Sequence, residues 1–385
     1  MRVDCVVIGA RCAGAASAML LAREGFRVLV LDRAEFPSDT MSTLYIQPSG
    51  VILLDKWKVL DDVRATGCPP ITEIRYRVED VTLAGPVPFV GGQASTYAPR
   101  RWLLDQVLIR AAVDSGATFV DRARCVDLTR TADGRVDGVR YTTGGREHHV
   151  RCDLVIGADG ANSTVARLVD APMELEEPSV SYVHYSAWQG LGVGFGFYER
   201  VGHWTAVIPT NDDTTLVATY RPQDHFPTAA ADLEAAHLAA IAHVVPELAD
   251  ALTPERRTDR LRGSRRQRNF FRRAAGPGWA LVGDAGHHRD SITAHGITNA
   301  FTQADLLASM LTGHDPTEWD AALAGYGAAR DAALRPSYSA TLECARLAVP
   351  PARLAMMRHI AADANLTARY FEVVGGLRSI EDLFA

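Results

Sequence analysis

The chain has 385 residues, 47% of them hydrophobic and 22% charged, with no low-complexity tract; this composition supports a large packed core and excludes a disordered or fibrous protein. Its formal charge of -6 gives no whole-molecule attraction to nucleic acid or an anionic membrane, and no apolar run approaches the length of a membrane span. Six scattered cysteines lack the paired spacings of a zinc or dithiol site, and the first residues lack a secretory pattern, so buried thiols and a cytoplasmic location are expected.

The β-branched run Val3 to Ile8 reads as a strand covered on both faces. It ends in Gly9-Ala10-Arg11-Cys12-Ala13-Gly14, after which small residues and leucines continue as a helix to a glycine stop at Gly25. A second strand, Phe26 to Leu31, delivers Asp32, followed by Arg33. This strand-turn-helix-strand-acid unit is the pattern that binds a dinucleotide. Gly9 makes the tight turn, the helix N-terminus faces the pyrophosphate, Gly14 allows close packing and Asp32 meets the ribose hydroxyls. Arg11 replaces the middle glycine of that pattern and offers the phosphates a charge. Gly9, Arg11, Ala13, Gly14, Asp32 and Arg33 are therefore the first candidate cofactor contacts.

Farther along stands Arg101-Trp102-Leu103-Leu104-Asp105, and Cys152 to Ile156 is an apolar strand followed by Gly157-Ala158-Asp159-Gly160. Alternating, aromatic-rich runs with turn signals fill 71–95 and 177–265 and predict an antiparallel sheet. If 181–188 is one of its strands, Tyr182, His184, Ser186 and Trp188 share a face. Together with Trp204 and Tyr220, the residues Tyr182, His184 and Trp188 are candidates to stack on or hydrogen-bond a substrate. The arginines Arg262, Arg265, Arg266 and Arg268 read as a solvated face or a phosphate neighbour. Trp279 to Val282 runs into Gly283-Asp284-Ala285-Gly286-His287-His288, and apolar residues from Ile297 to Leu311 at three- and four-residue steps mark a helix opened by Gly296. The alanine- and leucine-rich end, interrupted by Pro336, Pro350 and Pro351, reads as a helical cap.

Taken together, the N-terminal G-x-x-x-x-G, the central G-A-D-G-x-x-S-x-V-x-R, the late G-D-A-x-H with its glycine-led helix and the R-x-x-L-D helix start resemble the flavoprotein monooxygenases related to para-hydroxybenzoate hydroxylase. That superfamily is shared with flavin halogenases and geranylgeranyl reductases. The resemblance implies an α/β fold: a discontinuous Rossmann-like FAD-binding domain (1–70, 96–176 and 266–330), an inserted antiparallel substrate sheet (71–95 and 177–265) and C-terminal helices (331–385). It implies that Arg101 meets the flavin phosphates or ring edge, that Asp159 and Gly160 lie beside the pyrophosphate and the path of the electron donor, and that Gly283 and Asp284 hold the ribityl chain. Gly296, Ile297 and Asn299 would aim backbone N–H groups at the flavin edge that becomes negative on reduction. At the position where the family usually has proline, this chain has Ser291.

The activity so implied uses FAD, with NADPH or NADH as a transient donor, to pass one atom of dioxygen through a flavin C4a-hydroperoxide to an aromatic or polyketide-like small molecule. His295, next to Gly296, and His184 are the candidate proton-transfer residues, because histidine alone titrates near neutrality unperturbed. No metal is expected, since adjacent His287 and His288 do not converge on one ion. Halogenation is disfavoured: the stretch Arg75 to Glu79 lacks the halogenase lysine, and Trp204 to Pro209 has a single tryptophan. Double-bond reduction and a structural, non-redox FAD are the alternatives.

Overall fold

In the computed structural model, which describes residues 2–227 and 232–384, the run Cys5–Ile8 lies inside a six-stranded sheet. The order from one edge is Ala275–Gly276, Trp279–Leu281, Leu154–Gly157, Cys5–Ile8, Val28–Leu31 and Thr118–Val120; the neighbours are parallel except the hairpin 275–281. Alternation sends successive side chains to opposite faces. Val7, Val30 and Ile156 pack under the helices Cys12–Arg23, Arg101–Asp114 and Gly296–Leu311, while Val6, Leu29 and Val155 pack on a three-stranded sheet containing Cys125, Leu128 and Val139. Cover on both faces explains why these strands read as unbroken apolar runs.

A seven-stranded sheet forms the second layer system. Its order is Arg262–Ser264, Ser181–Gln189, Thr214–Pro222, His203–Pro209, Gly196–Arg200, Glu73–Val78 and Val81–Pro86, with one parallel pair between Gly196–Arg200 and Glu73–Val78. The helix Asp232–Val244 covers one face through Ile241 and Val244, which pack with Trp188, Val207 and Val217. Ala345, Met357 and Phe371 of the C-terminal helices share a cluster with Val183, Trp204 and Tyr220 of the other face. The α/β architecture, the inserted sheet and the helical cap are as the sequence implied.

The cap is tied to the sheet by a buried ion pair. The Glu199 carboxylate, with no side-chain exposure, accepts from Arg353 Nη1 at 2.6 Å, from Arg353 Nη2 at 2.7 Å and from Tyr76 Oη at 2.6 Å. One expectation is corrected here. Pro336 does not interrupt the cap, because the helix Tyr326–Ala345 runs through it. Pro336 and Ala332 both lie on the solvent side of the helix, where a carbonyl that loses its partner is left open to solvent and the break is tolerated.

Candidate active site

A cleft of about 1360 Å³ extends from the ends of Cys5–Ile8 and Val28–Leu31 to the inner face of the seven-stranded sheet, where Val183 and Tyr185 line it. Gly9, Arg11, Ala13, Asp32, Arg33, Arg101, Asp159, Gly160, Gly283, Asp284, Gly296, Ile297 and Asn299 all line this one space, although they come from six short stretches spread between residues 9 and 299. Gly14 does not. A Cβ there would lie 1.8 Å from the Gly9 carbonyl oxygen, so Gly14 serves the packing of helix on turn and not ligand contact. Gly9 has φ +104°, and a Cβ would lie 2.4 Å from the Ala158 oxygen, which leaves glycine as the residue for this turn.

The acids of the cleft are held differently. Asp32 accepts from the N–H groups of Ala10 and Ala34, each at 2.8 Å, and so fixes the turn while its edge faces the cleft. Asp159 caps the short helix Thr164–Leu168, with Oδ1 accepting from Ser163 Oγ at 2.5 Å and Oδ2 from Thr164 N at 2.6 Å; the serine of the central motif in turn accepts from Ala166 N. That capping gives the D-G-x-x-S spacing a local reason that sequence reasoning missed. Asp284 is different again: it is exposed to the cleft, and its carboxylate accepts no hydrogen bond among the described residues. Arg11 Nη1 donates to Asp105 Oδ2 at 2.7 Å and Arg101 Nη2 to Asp105 Oδ1 at 3.0 Å, so a carboxylate with 1% exposure holds both guanidinium groups at the wall. The helix Gly296–Leu311 has no side-chain cap at His295, which leaves its first N–H groups facing the cleft.

These features fit FAD. A glycine cradle, an unengaged carboxylate at a strand end, two fixed arginines and an uncapped helix N-terminus match its pyrophosphate, ribityl hydroxyls and ring edge.

Several proposed substrate and proton-transfer residues lie elsewhere. Tyr182, His184 and Trp188 occupy the face of Ser181–Gln189 that is turned from the cleft. Tyr182 and His184 pack on Phe226, His184 lies 6.3 Å from His237, and Trp188 is in the cluster beneath Asp232–Val244. The alternation was read correctly, but the covering helix lies on the aromatic side, so Val183 and Tyr185 look into the cleft. His295 lines neither the cleft nor the slot described below. Its Nδ1 is 2.8 Å from the Thr293 carbonyl, and burial pushes its pKa down to about 3. Tyr220 and Trp204 lie on the inner face with Val183 and Tyr185. Of the four arginines read as a solvated face or a phosphate neighbour, Arg266 and Arg268 border the cleft.

Ser291, at the family's proline position, is pinned by polar contacts. Its N and Oγ donate to Gln267 Oε1 at 3.0 and 2.6 Å, and the hydroxyls of Tyr185 and Tyr220 each lie 3.0 Å from its Oγ. Gln267 Nε2 donates to Asp290 Oδ1 at 2.9 Å, and burial raises Asp290 to about 6. The loop also divides the site. Asp290, Ser291 and Gly296 line the cleft, whereas Thr293 lines a separate slot of about 60 Å³. Tyr45, Tyr76, Phe195, Phe197, Trp204 and Phe371 wall that slot.

The family model described as FAD binding domain matches residues 2–335. The chain is 24% identical over 328 residues to the 1H-pyrrole-2-carbonyl-(peptidyl-carrier protein) brominase of Pseudoalteromonas luteoviolacea, covering 81% of this chain and 79% of that one. It is 26% identical to the menaquinone reductase of Mycolicibacterium smegmatis, with 83% and 79% covered. It is 28% identical to the 6-methylpretetramide 4-monooxygenase of Streptomyces rimosus, with 78% and 73% covered. Among solved structures, the flavin-dependent brominase Bmp2 aligns with TM-score 0.81 at 20% identity over 98% of this chain and 94% of that one. PqsL of Pseudomonas aeruginosa in complex with 2-aminobenzoylacetate aligns with TM-score 0.73 at 22% identity over 97% and 99%. These two likenesses concern the fold. With the cleft described above, the family match over most of the chain identifies the protein as a member of the FAD-binding-domain family and an FAD-dependent oxidoreductase.

Proposed function

We propose that this protein is an NAD(P)H- and dioxygen-dependent monooxygenase acting on an aromatic or polyketide-like small molecule. The aromatic slot behind the loop Asp290–Gly296 carries the reading. Its walls of Tyr45, Phe195, Phe197 and Trp204 suit a flat conjugated ring, and Tyr45 and Phe195 are already stacked at 4.3 Å between centroids. FAD, when bound, supplies the redox chemistry. The chain's own contribution is positional. Gly9, Asp32, Asp284 and the Gly296 helix end would hold the cofactor, the pinned loop would set the distance between cleft and slot, and the apolar slot would keep water from the reacting atoms. Tyr185 on the cleft wall, with Tyr220 buried behind it and joined to it through Ser291, would be the hydroxyl that exchanges a proton. The relative named 6-methylpretetramide 4-monooxygenase supports this choice.

The decisive experiment supplies ¹⁸O-labelled dioxygen and NADPH or NADH to purified protein with a panel of aromatic and polyketide acids, and weighs the products. One labelled oxygen atom per product is expected. Product formed anaerobically would establish the reductase chemistry named for the menaquinone-reducing relative instead, and brominated product with bromide present would overturn the oxygenase reading.

A further inference from the structure

Arg289 follows the late glycine-aspartate motif and lies on the cleft wall, 6% exposed. Its Nη1 donates to Ser337 Oγ at 2.7 Å, on the cap helix Tyr326–Ala345. Its Nε and Nη2 have no hydrogen-bond partner, and among the described residues no carboxylate lies within ion-pair distance. The carboxylates that could serve are engaged elsewhere. Asp290 accepts from Ser181, Gln267 and the Ile292 N–H, while Asp331 pairs with Arg330 and Arg335. Beside Arg289, His287 (2% exposed) also lines the cleft with its Nε2 unpartnered, and the Tyr338 hydroxyl (3% exposed) is unpartnered too. The His287 and Tyr338 rings are 5.8 Å apart. Burial and the neighbouring Arg289 and Arg330 hold His287 well below its usual range, so it stays neutral and adds no second positive charge beside the guanidinium.

A buried guanidinium with two free N–H edges and no counter-ion is costly to desolvate, and its planar fork matches a carboxylate. We infer that Arg289, flanked by His287 and Tyr338, is an anion subsite on the cleft wall that takes a small carboxylate-like monoanion. A single free charge selects a monoanion over a phosphate dianion. The anion comes either from the acid group of an organic substrate, a source that rests on the oxygenase reading above, or from free ions of the solution. The subsite stands without that reading.

The test uses the full chain, as apoprotein and loaded with FAD, and reads thermal midpoint and calorimetric binding for sodium acetate, benzoate and chloride at constant ionic strength. Saturable binding and a raised midpoint are expected in the parent, and Arg289→Gln should weaken the binding about ten- to a hundredfold, as for loss of hydrogen bonds to a charged group. Without anion, Arg289→Gln should be as stable as the parent or more so, whereas an arginine with a purely structural role would leave the variant weaker. Should that variant not fold, Arg289→Lys keeps the charge, loses the fork and should still bind more weakly than the parent. Benzoate binding tighter than acetate and chloride assigns the subsite to a substrate acid; equal binding assigns it to free ions. No shift with any of the three anions in the parent, or the same shifts in both variants, overturns the subsite. Anion shifts in a protein that oxygenates nothing would keep the subsite and remove only the oxygenase reading.

Discussion

Asp284 is the side chain on which the cofactor assignment bears most directly, because it faces the cleft with its carboxylate unengaged. Hydrogen bonds from ribityl hydroxyls to a charged acceptor are worth about 1.5–3 kcal/mol, so Asp284→Ala should weaken FAD retention about ten- to a hundredfold while leaving the fold intact. Fluorescence titration of the apoprotein measures it, and unchanged affinity would remove Asp284 from the site. A second residue gives a pH signature. His237 sits between hydroxyls, with Nε2 2.7 Å from Ser186 Oγ and Nδ1 2.7 Å from Thr219 Oγ, and burial pushes its pKa down to about 3. Below pH 6.5 the unfolded chain therefore binds a proton that the folded chain refuses. Its stabilising contribution is complete above that value and declines by about 1.4 kcal/mol per pH unit toward pH 3. His237→Asn keeps a polar partner but does not titrate, so urea titrations at pH 7, 6 and 5 should show a shallower acid loss than in the parent. Coincident slopes would mean that the imidazole is not held neutral. The glycines and acids of the cleft were legible in the sequence because they stand at fixed spacings in short strand-end motifs, even where their contacts are distant, as Asp32 to Ala10 and Gly9 to Ala158 are. Gln267 and Asp290 were not, since their partners Ser181 and Ser291 are brought to them only by the tertiary fold.

At the scale of elements, the strand Ser181–Gln189 shows where pattern reading stops. Period two separates Tyr182, His184 and Trp188 from Val183 and Tyr185 without saying which set meets the cofactor. Here the helix Asp232–Val244 decides it by covering the aromatic set. An aromatic face is as good a surface for a helix to cover as for a ligand to stack on, so composition could not decide between them. The cap raises a different question, how three helices with weak sequence signals are kept in place. The Glu199–Arg353 pair supplies much of the answer and makes a directional prediction. Arg353→Met strands the Glu199 charge in the core and should cost about 3–5 kcal/mol in denaturant-monitored stability, whereas adding Glu199→Gln to it should recover part of that loss. A double variant no more stable than the single one would show that the pair acts through something other than the buried charge.

Across the whole molecule, cleft and slot share a boundary but not their walls. The cleft is built chiefly from the nucleotide-binding segments, while the slot takes Tyr45 and Thr293 from those segments, Phe195, Phe197 and Trp204 from the sheet, and Cys344, Tyr370 and Phe371 from the cap. A ring entering a slot of about 60 Å³ must displace some of these side chains, and the last cap helix Ala364–Val374, which carries Tyr370 and Phe371 and none of the residues lining the cleft, is the part best placed to yield. Phe371→Leu widens the slot from the cap side at a residue that does not itself line the cleft. Because the two spaces are separate, the variant should retain FAD at the parent's affinity and still oxidise NAD(P)H, but with a looser grip on the substrate. Oxygen consumption should then exceed product, and the difference should appear as hydrogen peroxide, because the substrate no longer sits where the oxygen is delivered. The measurement is the ratio of product to oxygen consumed, alongside flavin content. A fall in flavin content matching the fall in product would mean that slot and cleft are one site, and an unchanged ratio would mean that substrate binds elsewhere.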